Sequence, residues 1–438
     1  MSKSKLGVRD YFSFILAGLV GQLAWTIENM YLNRYLYDLD ETKLSYVSIM
    51  VALSAVVATV TTLLMGILMD RLGKRKLFIS FGYIIWGITI ILFGFLQYSF
   101  ITHAALLVVI MDCVMTFFGS TANDAGFNAY VTDNTDETNG GKVECILSVL
   151  PLISMLLIVG LLDPLTQGAT MQSKHWDLFF YILGGIVSII GVVLIFILNK
   201  DNFPINKEEP YFKTIFYGFR IKTIKNEKKL YLSLIATMIF NIAIQIFFPY
   251  FLIYIEFGAP EISGLDFTLC LGIVLLVSCL ITIIVGLFMD KIGKQKIIIP
   301  SLLALVSGCI LMFFLTKFIG IIFAGILLMS GYMLLSAILL TFIRDFTPKD
   351  RVGLFQGVRM IFTVLVPMVI GPFLGELCYS INVVEKEFVD SYGNLVTGVV
   401  PNGNIFLGAA LVSILSLIPL YFLFKKDKKV HDNESSSN

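Results

Sequence analysis

The chain is 438 residues long, 57% hydrophobic and only 14% charged, where a soluble domain carries roughly 25% charged residues. Water cannot be the solvent for most of such a surface. With 32 Lys and Arg against 31 Asp and Glu the net charge is +1, which gives no basic field for a nucleic-acid partner.

Apolar runs of about 20 residues, the length that crosses roughly 30 Å of hydrocarbon as a helix, recur near residues 11–36, 44–69, 77–98, 104–130, 143–162, 177–198, 230–256, 266–289, 297–316, 320–342, 353–380 and 404–424. They predict an all-α membrane protein with twelve transmembrane helices in two pseudo-symmetric six-helix bundles. The N-terminal bundle covers 1–199 and the C-terminal bundle 230–424, with a polar linker at 200–229 and a cytoplasmic tail at 425–438. The first run is polar at Gln22, Glu28 and Asn29 and has no convincing small-residue cleavage site, so it reads as a retained helix and not a signal peptide. The long fourth and eleventh runs each have room for a kink. In the linker, Tyr211 to Tyr217 suits an amphipathic helix on the membrane surface, and the Ser/Asn-rich tail suits disorder. The cysteines, Cys113, Cys145, Cys270, Cys279, Cys309 and Cys378, stand singly within or beside apolar runs. They read as packing residues, so no disulfide framework, metal site or cofactor is expected.

Lys and Arg in short loops stay on the cytoplasmic side. If both termini are cytoplasmic, that side collects 26 of the 32, the opposite side holds Arg34, Lys43, Lys174, Lys317 and Lys386, and Arg359 alone falls inside a helix. The expectation is a multi-pass protein of the cell inner membrane, monomeric and in contact with lipid.

On helix 1, Gln22, Thr26, Asn29 and Asn33 share a face at spacings of three and four, with Trp25 beside them and Glu28 on the flank. Amides and a carboxylate offer hydrogen bonds to hydroxyls, and an indole can stack on the apolar face of a pyranose. The stripe therefore reads as a sugar face. Asn241 and Gln245 on helix 7, and Tyr332 and Ser336 on helix 10, are further contact candidates, although Ser and Tyr also satisfy themselves within membrane bundles. A charge near the centre of a membrane helix costs about 2.5–3.5 kcal/mol on the insertion scale. Glu28, and Asp124 on helix 4 with Asn128 one turn on, are thus candidate proton carriers, or else structural ion-pair partners. Arg359 shares a face with Gln356 and Thr363 and would neutralise an opposing carboxylate or meet an anionic solute. Asp112, Asp266 and Glu376 lie nearer helix ends or lack polar neighbours on their face, and are weaker candidates.

Two repeats tie the halves together. Gly66-Ile-Leu-Met-Asp-Arg-Leu-Gly-Lys-Arg-Lys76 returns 220 positions later as Gly286-Leu-Phe-Met-Asp-Lys-Ile-Gly-Lys-Gln-Lys296, identical at six of eleven positions. Gly66 would serve close helix contact, Gly73 and Gly293 the tight turn, and Asp70 and Asp290 a helix end or a loop cation such as Arg71, in one conformation only. At an offset of 212, Asp133, Thr135 and Gly141 match Asp345, Thr347 and Gly353, with Glu144 and Gln356 at equivalent positions. These pairs suggest a pseudo-twofold cytoplasmic gate, with simple solvation of polar loops as the alternative.

With these hairpins the chain resembles the major facilitator superfamily over essentially its whole length. The resemblance implies two bundles rocking about a midplane substrate site, with Gly66, Asp70, Arg71 and Gly73 helping to hold the cytoplasmic side shut. Asn123-Asp-Ala-Gly-Phe-Asn-Ala-Tyr-Val-Thr132 and Met30-Tyr-Leu-Asn-Arg-Tyr-Leu-Tyr-Asp38 resemble a narrower branch, the glycoside, pentoside and hexuronide cation symporters. That likeness makes Asp124 the helix 4 carboxylate of cation and sugar binding. The branch's other acids fall at Gln22, Ser54 and Ala58, and its helix 5 Arg near Ser148, so its sodium site is not expected here and a proton, or no cation, is. The reading is a secondary active transporter, not an enzyme, moving a sugar or glycoside by alternating access with proton symport. A proton-coupled exporter of lipophilic compounds and a non-transporting membrane receptor are the alternatives.

Overall fold

The computed structural model describes residues 6–96, 104–135, 140–168, 173–199, 219–258, 262–348, 352–389 and 395–425. Twelve apolar helices span it: α1 (Val8–Leu39), α2 (Ser45–Leu72), α3 (Arg75–Leu96), α4 (Ala104–Asn134), α5 (Val149–Thr166), α6 (Trp176–Ile197), α7 (Lys228–Phe257), α8 (Gly264–Met289), α9 (Lys294–Phe314), α10 (Phe318–Phe346), α11 (Gly357–Ser380) and α12 (Asn404–Phe424). A membrane leaves the backbone no outside hydrogen-bond partner, so each run satisfies its own amides as a helix. Residues 200–218, including the Tyr211–Tyr217 segment, and the tail beyond 425 lie outside the described residues; Ile221–Asn226 forms a short helix that leads into α7.

Small residues bring helices together. A Cβ placed on Gly87 of α3 would run into the carbonyl oxygen of Gly184 on α6, and one on Gly184 into that of Gly87, so the two backbones touch directly.

Among the described residues, four of the helices carry π-helical turns, at Ile27–Tyr31 in α1, Ser120–Phe127 in α4, Ile158–Leu162 in α5 and Ile361–Leu365 in α11. α7 is interrupted instead by a 3-10 turn at Phe248–Tyr250, where Pro249 withholds an amide hydrogen. The irregularities in α4 and α11 lie where the sequence leaves room for kinks. Those in α1 and α5 are additional.

The α2–α3 and α8–α9 turns define one side of the molecule, called here the hairpin side; the opposite face is the far side. On the far side, between α11 and α12, the chain forms an antiparallel hairpin of β1 (Val384–Val389) and β2 (Leu395–Val400), with Val384 opposite Val400. The helical expectation left this segment as loop, although apolar residues flanking a Tyr-Gly-Asn triplet are a hairpin signal. The Tyr37 hydroxyl donates to Val399 O at 3.1 Å, and the Phe388 ring lies 6.0 Å from Tyr37 and 5.9 Å from Phe257. The hairpin thus rests on the far ends of both α1 and α7.

Candidate substrate path and gates

The far side is closed by a buried network of charges that joins the bundles. Arg34 of α1 places Nε 2.6 Å from Glu256 Oε2 of α7 and Nη1 3.6 Å from Asp163 Oδ1 of α5. Its two Nη groups also donate to Thr166 Oγ1 and O at 2.9 and 3.0 Å, and the guanidinium lies 4.8 Å from the Phe267 ring. Lys174 Nζ meets Asp38 at 2.8 Å and Glu256 at 3.3 Å, while Trp176 Nε1 donates to Asp38 at 2.9 Å. Asp163 accepts from the Tyr31 hydroxyl, from Gln167 and, across the interface, from Thr268 Oγ1. Arg34, Asp38, Asp163, Lys174 and Glu256 are all buried. Such charges persist in a membrane protein only because each finds opposite charge and hydrogen bonds. Counting Arg34 as an outside-loop cation and Arg359 as the one cation inside a helix was wrong: Arg34 lies within α1 with no exposed surface.

Beneath this lock lies an apolar plug. Met30 of α1 and Met155 and Val159 of α5 face Phe248 and Phe251 of α7, Val274 of α8 and Met329 of α10 around a void of about 10 Å³, no larger than a single water-sized probe.

The polar stripe of α1 runs away from the plug toward the hairpin side. Gln22, Trp25, Thr26 and Asn29 are half-buried, but Asn33 is fully buried. The spacing rule fails for Asn33 because a π turn intervenes between it and the stripe, and a wide turn takes an extra residue to come round. Thr26 Oγ1 donates to Gln22 O, and Asn29 Nδ2 to Trp25 O, each at 2.8 Å. This back-bonding leaves the Asn29 side-chain carbonyl as an acceptor for a solute. Trp25 packs edge-on against Trp86 of α3 at 5.0 Å.

Asp124 lies within the π turn of α4, half-buried, with Asn123 Nδ2 3.4 Å from its Oδ1. Asn123 Oδ1 lies 3.0 Å from the Tyr83 hydroxyl, and Asn128 is exposed, its amide on Asp124 O at 3.3 Å. Glu28 departs most from the stripe. It is 5% exposed and accepts from Thr116 Oγ1 of α4 at 2.9 Å, so it faces the interior of its own bundle.

In the other bundle, Asn241 and Gln245 are half-buried on α7. Asn241 Nδ2 donates to Thr363 O in the π turn of α11 at 2.8 Å, which satisfies a backbone carbonyl in the distorted turn. Tyr332 stacks on Phe240 at 6.1 Å and approaches Phe248 of the plug at 6.5 Å. Arg359 is exposed near the hairpin-side start of α11. Two acids ranked as weaker candidates differ in outcome: Glu376 accepts from Ser48 Oγ of α2 at 2.6 Å, across the bundle interface, whereas Asp112 is buried one turn from Thr116.

On the hairpin side Gly73 takes φ 62°, and its amide donates to Met69 O at 2.8 Å; Gly293, at φ 94°, donates to Met289 O. Both turns need the left-handed region that glycine adopts without strain. Arg75 bridges Asp70 at 2.8 Å and Asp133 at 2.7 Å. Lys294 holds Asp345 at 2.9 Å, so each half ties its hairpin to its fourth helix, with the cation moved by one position. Arg71, expected as a loop partner, is exposed, and Arg75 pairs with Asp70 instead. Gly66, expected at a close helix contact, has nothing within 4 Å of where a Cβ would sit, and neither has Gly286. The side chains of Glu144, Asp290 and Gln356 lie outside the described residues.

Solved structures share this architecture. The nucleoside transporter NupG superposes with a TM-score of 0.66 at 14% identity, covering 95% of this chain and 100% of that one. The xylose transporter XylE from E. coli, in a partially occluded inward open conformation, gives 0.67 at 12% identity over 94% and 97%. A D-xylose-proton symporter gives 0.68 at 11% over 95% and 97%. No curated protein matches the chain in sequence. The family model of the Major Facilitator Superfamily matches residues 11–372 and 236–438, and the chain belongs to that superfamily, as a multi-pass membrane transporter and not an enzyme.

Proposed function

We propose that the protein imports a sugar or glycoside by alternating access, coupled to a proton. The observation that carries this reading is the buried Arg34–Glu256 contact between the bundles, set beyond an apolar plug and a half-buried polar stripe. A closed gate on one side and polar lining on the other is the arrangement a carrier needs in one of its two states. The half-buried Trp25 and Tyr332 supply rings and Gln22, Asn29, Asn241 and Gln245 supply amides, which together suit a polyhydroxylated ring. The relatives in fold whose names specify xylose agree with that chemistry. The hairpin side is cytoplasmic, because it holds 26 of the 32 Lys and Arg, and the far-side lock then faces outward from the inner membrane. Support for proton coupling comes from the buried Glu28 and Asp112 within the N-terminal bundle and from the lack of helix 2 carboxylates at Ser54 and Ala58. Proteoliposomes with an inward proton gradient, offered a panel of labelled mono- and disaccharides, test the reading. Accumulation of at least one sugar above its outside concentration is expected. Efflux of a cationic dye with no sugar uptake would turn the assignment to an exporter, and sugar binding without flux to a receptor.

A further inference from the structure

A second buried carboxyl stands beside Glu28. Thr116 of α4 donates to Glu28 Oε1 at 2.9 Å, and Asp112 lies one turn before Thr116 on the same helix. Residues four apart on a helix share a face, with Cβ atoms about 5–6 Å apart. Asp112 is therefore on the face of α4 that makes the Thr116 contact with Glu28. Both acids are closed to solvent, Glu28 at 5% and Asp112 at 1% exposure.

The hydrogen bonding at this contact is incomplete in a specific way. Glu28 Oε2 and Asp112 Oδ1 have no hydrogen-bond partner among the described residues. Ser54 of α2 adjoins Glu28. The nearest cation along α1, Arg34, is committed to Glu256 and Asp163. Two neighbouring carboxylates in a membrane interior repel each other, and each costs about 2.5–3.5 kcal/mol to place there. One proton between them removes a charge, turns one orphan oxygen into a donor and gives the other orphan its partner.

We propose that Glu28 and Asp112 hold a single proton between them and that this carboxyl pair is the coupling-ion site, separate from Asp124 on the solute path. The coupling role rests on the symport reading above, whereas the shared proton does not. Position favours the role. Glu28 is the second residue of the π turn of α1, and the same helix continues through Tyr31, Arg34 and Asp38, three members of the far-side lock. A change in how Glu28 is held thus acts on the element that closes the gate.

Infrared titration of the full chain in lipid nanodiscs, in choline chloride, reads the pair without any sugar. A protonated-carboxyl band that shifts in heavy water is expected at neutral pH. Glu28→Gln and Asp112→Asn should each displace it, because the surviving acid loses its partner, and the double variant should lack it. Both substitutions are close to isosteric, and circular dichroism with a monodisperse elution peak verifies the fold. If the double variant fails that check, Glu28→Gln alone decides. A band unmoved by either substitution overturns the shared proton, and so does a band that disappears when sodium replaces choline, which would mean a metal ion in the pair. If the band behaves as expected but the parent protein accumulates no sugar under a proton gradient, the pair stands and its coupling role falls.

Discussion

Arg34 Nε and Glu256 Oε2 meet at 2.6 Å across the bundle interface, with 0% and 4% of their side chains exposed. Removing one member of a buried pair strands the other, at a cost of about 3–5 kcal/mol. The cost falls on the state in which the two are buried together, so Glu256→Gln should favour the far-side-open state. A cysteine placed in the plug by Met30→Cys should react with a membrane-impermeant maleimide from the far side at least about tenfold faster in that background, a shift of roughly 1.4 kcal/mol. Equal rates would mean that the contact packs the interface without controlling it.

The hairpin charges sit in a different medium. Asp70 is 47% exposed and Asp133 27%, so neither Asp70→Asn nor Asp133→Asn should lower thermal stability by more than about 1 kcal/mol. Each should still slow uptake several-fold, by removing one of the two acids that Arg75 bridges. A double variant no slower than the worse single would place both in one device. A normal rate in either single would leave that acid with a solvation role alone.

Ion replacement addresses the coupling. Uptake should collapse when an uncoupler is added and persist when choline replaces sodium. A strict sodium requirement would contradict the proton assignment, and indifference to both treatments would identify an uncoupled facilitator.

The solute path has its own signature. Trp25→Ala and Asn29→Ala should each raise the apparent KM for the identified sugar about tenfold, by removing roughly 1.4 kcal/mol of stacking or hydrogen bonding. Asp124→Asn should do the same while leaving the response to the uncoupler in place. Should Asp124→Asn abolish proton dependence with KM unchanged, the coupling proton would belong on Asp124.

Helix number and placement were legible because one physical requirement, internal satisfaction of the backbone in hydrocarbon, writes itself into every stretch of about 20 residues. The duplicated hairpins were legible for a related reason, since a tight turn needs glycine at a fixed place. Side-chain partners were not. Nothing in the spacing of Arg34 or Glu256 announces the other, because the contact depends on how two bundles lean together. Asp112 looked isolated on its own helix because its neighbour comes from α1. Asn33 was assigned to the stripe by counting turns of 3.6 residues through a segment that winds more widely.

That wider winding has a consequence for how the gate can open. Ile27–Tyr31 contains one residue more than an α-helical turn would use. Were α1 to recover regular winding there, everything beyond would swivel by about 100° as on a screw thread. Tyr31, Arg34 and Asp38 would then leave Asp163, Glu256 and Lys174 together, with no need for the bundle to travel as a body.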